Sequence, residues 1–158
     1  MPRTTTRSTA RREPLDTSLV NSRLGYHLTS AHLTARKRFL EATNEWDITP
    51  AQYAILCLIE ANTFVTQADL CSTMNILRPN MVTLMSPLET KDLIKRSEFA
   101  HDRRNMLLSL TVKGKKLRKK IEGLLEALEA ELMEDFSEEE KRTFFALLER
   151  FHASNHAV

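Results

Sequence analysis

Glycine is nearly absent from this chain, at three residues in 158. A protein built from strands and tight turns needs more, so helix is expected to dominate. Cysteine is scarce too. Cys57 and Cys71 have no companion Cys/His cluster at metal-ligand spacing and fall inside apolar helical patterns, which predicts small buried thiols and leaves oxidation as their one chemical use. No apolar run approaches the roughly 18 residues of a membrane span. The opening MPRTTTRSTARRE is basic with no apolar segment behind it, so no secretory signal is expected and the protein is assigned to the cytoplasm. Also missing are a glycine-rich phosphate loop, a nucleophile elbow and paired metal ligands, which sets enzymatic chemistry and a bound cofactor aside.

What is present suits one soluble domain: an apolar share of 42%, a charged share of 28%, and enough length to bury a core without disulfides. The net charge of +2 says little, but its distribution says more. From Arg78 to Lys120 there are twelve Lys/Arg against four Asp/Glu, a net +8; from Ile121 to Val158 there are three against ten, a net −7. A basic block followed by an acidic, leucine-rich one fits a nucleic-acid-facing lobe joined to a lobe with another task, the alternative being ordinary solvated surface. Residues 1–17 are rich in Thr, Arg and Ser, so a disordered basic tail is expected there, with Arg3, Arg7, Arg11 and Arg12 available to phosphates.

From Leu19, the positions Val20, Leu24, Leu28, Ala31, Ala35, Phe39 and Ala42 recur every three or four residues and predict one long amphipathic helix ending near Asn44, with Gly25 as its weak spot. Thr49-Pro50-Ala51-Gln52 then reads as a helix start. Thr49 is the N-cap, Pro50 takes the first turn, and Gln52 closes a capping box, with Ile48 and Tyr53 placed to staple the same end. A second box, Thr66 with Asp69 and a Val65/Leu70 staple, opens a short helix from Gln67 to Met74. After the turn Asn75-Ile76-Leu77 comes a helix whose Met81, Leu84, Met85 and Leu88 fall at i, i+3, i+4 and i+7, completing a helix-turn-helix. Its opposite face carries Arg78, Asn80 and Thr83, short polar groups suited to a groove. Pro79 needs no backbone donor, and neither Leu77 nor Arg78 offers a cap, which leaves the initial N–H groups for a phosphate oxygen. Pro87 deletes one hydrogen bond inside this helix and crowds the Thr83 carbonyl, at a cost of about 3 kcal/mol, so a kink is expected there.

Leu93–Glu98 and Met106–Leu110 read as two strands joined by residues 99–105, a β-hairpin wing. The fold class expected is therefore mainly α with a small β-hairpin wing: a winged helix-turn-helix lobe plus a helical lobe. At this point the chain resembles the MarR (multiple antibiotic resistance regulator) family of transcription regulators. Ile48-Thr49-Pro50-Ala51-Gln52-Tyr53 is similar to the start of the family's second helix, and Leu88-Glu89 with Leu93-Ile94 to the end of its recognition helix. Asp102-Arg103-Arg104 followed by Leu110-Thr111-Val112-Lys113-Gly114 resembles its wing and the start of its fifth helix.

The resemblance covers nearly everything after residue 18 and implies a single domain over 18–158, with the winged lobe at about 48–112 and a dimerisation lobe from about 18–46 and 113–158. It also implies that Arg103 or Arg104 enters a minor groove with Asp102 orienting the guanidinium, and that Thr66 and Gln67 meet the DNA backbone. Two departures matter. Asn75 stands where the family has glycine, which the turn tolerates because asparagine accepts positive φ. Thr83 stands where many members carry a base-reading arginine, so Asn80 on adenine and Thr83 on a thymine methyl suggest A/T-rich half-sites.

A helix from Val112 to about Asp135 would run about 36 Å at 1.5 Å per residue. Leu117, Ile121, Leu124, Leu128 and Leu132 stripe it as in helices packed along their length. Ser137 and Glu140 cap a last helix whose Phe144, Phe145, Leu147, Leu148 and Phe151 exceed what one small lobe can cover, so a second copy is expected. Lys113, Lys115, Lys116, Arg118, Lys119 and Lys120 crowd the start of the long helix against its dipole, which a polyanionic partner explains.

The function these features imply is that of a homodimeric repressor on double-stranded DNA, its two recognition helices entering successive major grooves of a palindrome. By resemblance, a small-molecule effector binds between the lobes and shifts their spacing; His27 and His32 are the residues of the first helix available to line that crevice. The rival reading is a winged-helix protein-interaction module that does not bind DNA.

Overall fold

The computed structural model describes residues 14–99 and 102–155, with side chains described for all of them except residues 99, 102–105 and 155. The stretch 1–13 of the expected basic tail therefore lies outside the described residues. The chain divides between Thr34 and Ala35 into two units.

In the first unit, the single helix expected from Leu19 onward is in fact two. Helix α1 spans Ser18–Asn21 and α2 begins at Leu24. The interruption falls at Ser22–Arg23, between the two helices. The Asn21 side chain bonds back to Thr17 Oγ1 at 3.1 Å, and the Asn21 carbonyl accepts from His27 Nε2 at 2.7 Å, replacing the N–H a continuous helix would supply.

In the second unit α2 continues to Ala42, two residues short of Asn44. The buried Thr43 hydroxyl bonds both Phe39 O and Ile48 O and turns the chain through residues 43–47. Helix α3, Pro50–Ala61, has the expected capping box at Thr49 and Gln52. Gln52 also reaches sideways, its Nε2 donating to Leu84 O at 3.1 Å. Ile55, Leu56 and Ile59 form the buried stripe, which leaves Cys57, one residue round the helix, only half-buried. Cys71 is half-buried too, so full burial of the thiols is corrected. Burial, and then a hydrogen bond with Cys57, pushes the Tyr53 hydroxyl up to about 12.

A strand absent from the sequence reading follows: β1, Val65–Thr66. Helix α4, Gln67–Met74, ends at Asn75 with φ 51°, ψ 47°, the left-handed conformation expected of that residue. Helix α5 spans Arg78–Thr90 and buries Met81, Met85 and Leu88 completely. It runs without a break through Pro87, which removes a hydrogen bond there without ending the element.

Strand β2, Ile94–Phe99, has the expected length but starts one residue later, and β3, Asp102–Leu110, begins four residues earlier than expected. Asp102 pairs with Phe99, so the connection shrinks from seven residues to 100–101. The sheet is antiparallel with order β1-β3-β2, Val65 opposite Leu108 and Ile94 opposite Leu110. Helix α6 spans Val112–Leu132, three residues short of Asp135, and buries Ile121 and Leu128. Helix α7, Glu138–Asn155, opens on a Ser137/Glu140 box: Ser137 N and Oγ both donate to Glu140 Oε2 at 2.8 Å. None of its described side chains is buried.

Candidate nucleic-acid interface

Two helix starts and the wing hold the expected site. At the first, Thr66 N and Oγ1 donate to Asp69 Oδ2 at 2.8 and 2.7 Å, while Asp69 N donates to Thr66 Oγ1 at 3.3 Å. These bonds from Thr66, side chain first, hold the Asp69 carboxyl below the usual range. Thr66→Ala is expected to cost about 1 kcal/mol in urea unfolding at pH 7. The cap is at full strength above the ordinary Asp range and fades as pH falls through the depressed value; a wild-type and variant gap independent of pH in acid would refute this coupling.

The second start is open. Leu77, at φ −62° and ψ 143°, supplies no side-chain cap to α5, and Pro79 occupies its first turn. Arg78, Pro79, Asn80 and Thr83 are all exposed. The Thr83 hydroxyl donates to Pro79 O at 3.2 Å. Val82, half exposed, belongs to the same outward surface and escaped the sequence reading. The signal was there by elimination, since Met81, Leu84, Met85 and Leu88 leave position 82 facing out.

Arg96 on β2 was missed altogether. Its Nε donates to Glu89 Oε1 at 2.6 Å, and both Nη atoms lie 3.3 Å from Gln67 Oε1. Gln67, expected as a free DNA contact, is thus held by the wing strand. Asp102, Arg103 and Arg104 lie on β3 by backbone, but their side chains fall outside the described residues.

The lysine crowd at the start of α6 is partly accounted for within the fold. Arg118 pairs with Glu60 and Glu122, Lys113 Nζ donates to Lys91 O at 2.8 Å, and Lys120 sits 4.6 Å from the Trp46 ring centre. Lys115, Lys116 and Lys119 make no ion pair among the described residues. In the first unit His27 is engaged by Asn21, and His32 is exposed. Among the described residues no three His, Cys, Asp or Glu converge as a metal site, and no helix is long and apolar enough to cross a membrane.

A helix-turn-helix backed by a paired wing defines a winged-helix protein. Comparison with known proteins places it more closely. The MarR family model matches residues 46–105. The HTH-type transcriptional regulator FarR of Neisseria gonorrhoeae is 32% identical over 84 residues, 53% of this chain and 58% of that one. An uncharacterized HTH-type transcriptional regulator of Bacillus subtilis, YwoH, is 25% identical over 85% of this chain and 97% of its own. The solved transcriptional repressor CouR, bound to a 23-mer DNA duplex, superposes with TM-score 0.82 at 30% identity, covering 88% of this chain and 99% of that one. The chain belongs to the MarR family of transcriptional regulators.

Proposed function

We propose that this chain is a sequence-specific, DNA-binding repressor that acts as a cytoplasmic homodimer on a palindromic site and catalyses no reaction. The observation that carries the reading is the start of α5: an uncapped, exposed turn bearing Arg78, Pro79, Asn80 and Thr83, backed by the fully buried Met81 and Met85. Free N–H groups and short polar side chains on a rigid support are what a groove and its phosphates require. With its hydroxyl turned to Pro79 O, Thr83 keeps a methyl for a thymine, and Val82 adds a second apolar group. Thr66 and Gln67 serve the backbone at the neighbouring helix start, and Arg103 or Arg104, oriented by Asp102, reaches the minor groove. The likeness to CouR on DNA supports this assignment.

Each unit also carries apolar surface in need of cover. In the second, Phe144, Phe145, Leu147, Leu148 and Phe151 of α7 are 38–49% exposed. In the first, Leu15 and Leu19 are over 80% exposed and Leu24 and Leu33 more than half. A second copy supplies the cover, with residues 18–46 and 113–158 forming the dimerisation lobe and 48–112 the reading lobe. CouR has also been solved with p-coumaroyl-CoA, which supports release of this chain from DNA by a small molecule, with His27 and His32 as candidate contacts.

The test is selection of duplexes from a randomised pool, with sedimentation of the purified chain alongside. A dimer is expected, and an enriched two-fold symmetric sequence with half-site centres about 34 Å, one DNA turn, apart. A sedimenting monomer that enriches no sequence would favour the protein-interaction module instead.

A further inference from the structure

Three elements distant in sequence meet at one guanidinium. Arg96 projects from β2, Gln67 opens α4, and Glu89 lies in the last turn of α5. Arg96 Nε bonds Glu89 Oε1 at 2.6 Å while Nη1 and Nη2 converge on Gln67 Oε1 at 3.3 Å. A guanidinium has donors only, so the Gln67 atom facing it must be the carbonyl oxygen. The amide NH₂ then points away from Arg96. A phosphate oxygen has the reverse requirement: it accepts and never donates.

We propose that Arg96 is a positioning residue for DNA binding: by holding Gln67 Oε1 it fixes the side-chain amide with its N–H groups presented to a backbone phosphate. The inference rests on the reading above, in which Gln67 meets the DNA backbone. Glu89 has a part in the device. Its carboxylate engages the Nε edge and offsets the cation, which keeps Arg96 turned toward Gln67. An unheld glutamine would sample both amide orientations in the free protein, the oxygen-outward one being repelled by a phosphate, and would lose side-chain entropy on ordering. The same contact ties the wing strand to both helices of the helix-turn-helix, so the three parts approach a duplex in fixed register.

The experiment uses the full chain, a mixed-sequence 40-base-pair duplex and the duplex enriched from the pool, with affinity read by fluorescence anisotropy across a salt series. Gln67→Ala and Arg96→Ala are each expected to weaken the dimer about tenfold, as two modest hydrogen bonds would. The double variant should be within about twofold of either single one, because both changes remove the same contact. Arg96→Ala should leave the salt slope unchanged, since the guanidinium itself meets no phosphate. Gln67→Glu separates positioning from stability. It strengthens the pairing with Arg96 and so keeps the melting temperature, yet turns an anion toward the phosphate and should bind worse than Gln67→Ala.

Additive losses of about a hundredfold in the double variant would overturn the proposal. So would a slope reduced by about 1.8 for Arg96→Ala, one phosphate contact per subunit, or wild-type affinity in Gln67→Glu. Should Arg96→Ala fail to fold, the Gln67→Glu comparison decides alone. A wild-type chain that ignores both duplexes sinks the DNA reading itself, which is a different result from a binding chain whose variants behave additively.

Discussion

Gly114→Ala is expected to destabilise the fold by at least about 3 kcal/mol, lowering the melting temperature by about 6–12 °C for a chain of this size. A Cβ at that position would stand 2.0 Å from Leu93 O and 2.9 Å from Leu93 C, inside the space of backbone atoms. The carbonyl cannot swing aside. Leu93 is 1% exposed, and its oxygen already accepts from Thr111 N at 3.0 Å. Thr111 in turn caps α6, its Oγ1 accepting from Gly114 N at 3.0 Å and donating to Asp92 O at 2.7 Å. The helix must therefore ride directly on the strand start, and only hydrogen fits between them. Gly123, on the same helix, has nothing within 4 Å of a built Cβ, so Gly123→Ala should stabilise by about 0.5–1 kcal/mol through helix propensity alone. Thermal melts of the two variants should move in opposite directions. A Gly114→Ala protein melting within 2 °C of wild type would mean that α6 is not seated on Leu93.

This pair of glycines illustrates what the sequence made legible. Leu110-Thr111-Val112-Lys113-Gly114 was read as a resemblance, whereas the reason for Gly114 is a carbonyl 21 residues upstream that no local pattern announces. Local devices were readable throughout: the boxes at Thr49/Gln52, Thr66/Asp69 and Ser137/Glu140 join residues three apart, and the chain itself brings them together. The buried stripe of α5 and the left-handed Asn75 were legible for the same reason. Contacts between distant residues were not. Strand β1 exists only because Val65 and Thr66 find Leu108 and Leu107 across some forty residues, and a two-residue strand leaves no period to detect. The longer wing hid behind polar residues 102–105, which offer no apolar alternation to mark a strand, and the pairing of Asp102 with Phe99 follows a shift in register after Glu98. Arg96 joins residues 29 and seven positions away that lie on two different helices while it stands on a strand, so no single period links them. The break at Ser22 was missed because the apolar stripe continues across it.

Raising salt from 50 to 200 mM is expected to weaken binding to the selected duplex by about four orders of magnitude. With on the order of four phosphates neutralised per subunit, the slope of log affinity against log salt lies near −7 for the dimer. The distribution of partnered and unpartnered cations constrains that number. Arg118, Lys120 and Lys91 are engaged by Glu60, Glu45 and Asp47 within the fold, and Arg96 by Glu89, so they are poor candidates for counterion release. Arg78 is exposed with no ion pair among the described residues, and so are Lys115, Lys116 and Lys119. Replacing Arg103 and Arg104 by alanine should flatten the slope by about 1.8 for each of the two that neutralises a phosphate in both subunits. An arginine that reads the minor groove would instead cost affinity unevenly between A/T-rich and G/C-rich flanks, so paired titrations on the two flanks assign each arginine its part. A wild-type slope near zero would remove the electrostatic basis of the DNA reading, because an uncapped helix start and an ordered amide cannot hold a polyanion without cations beside them.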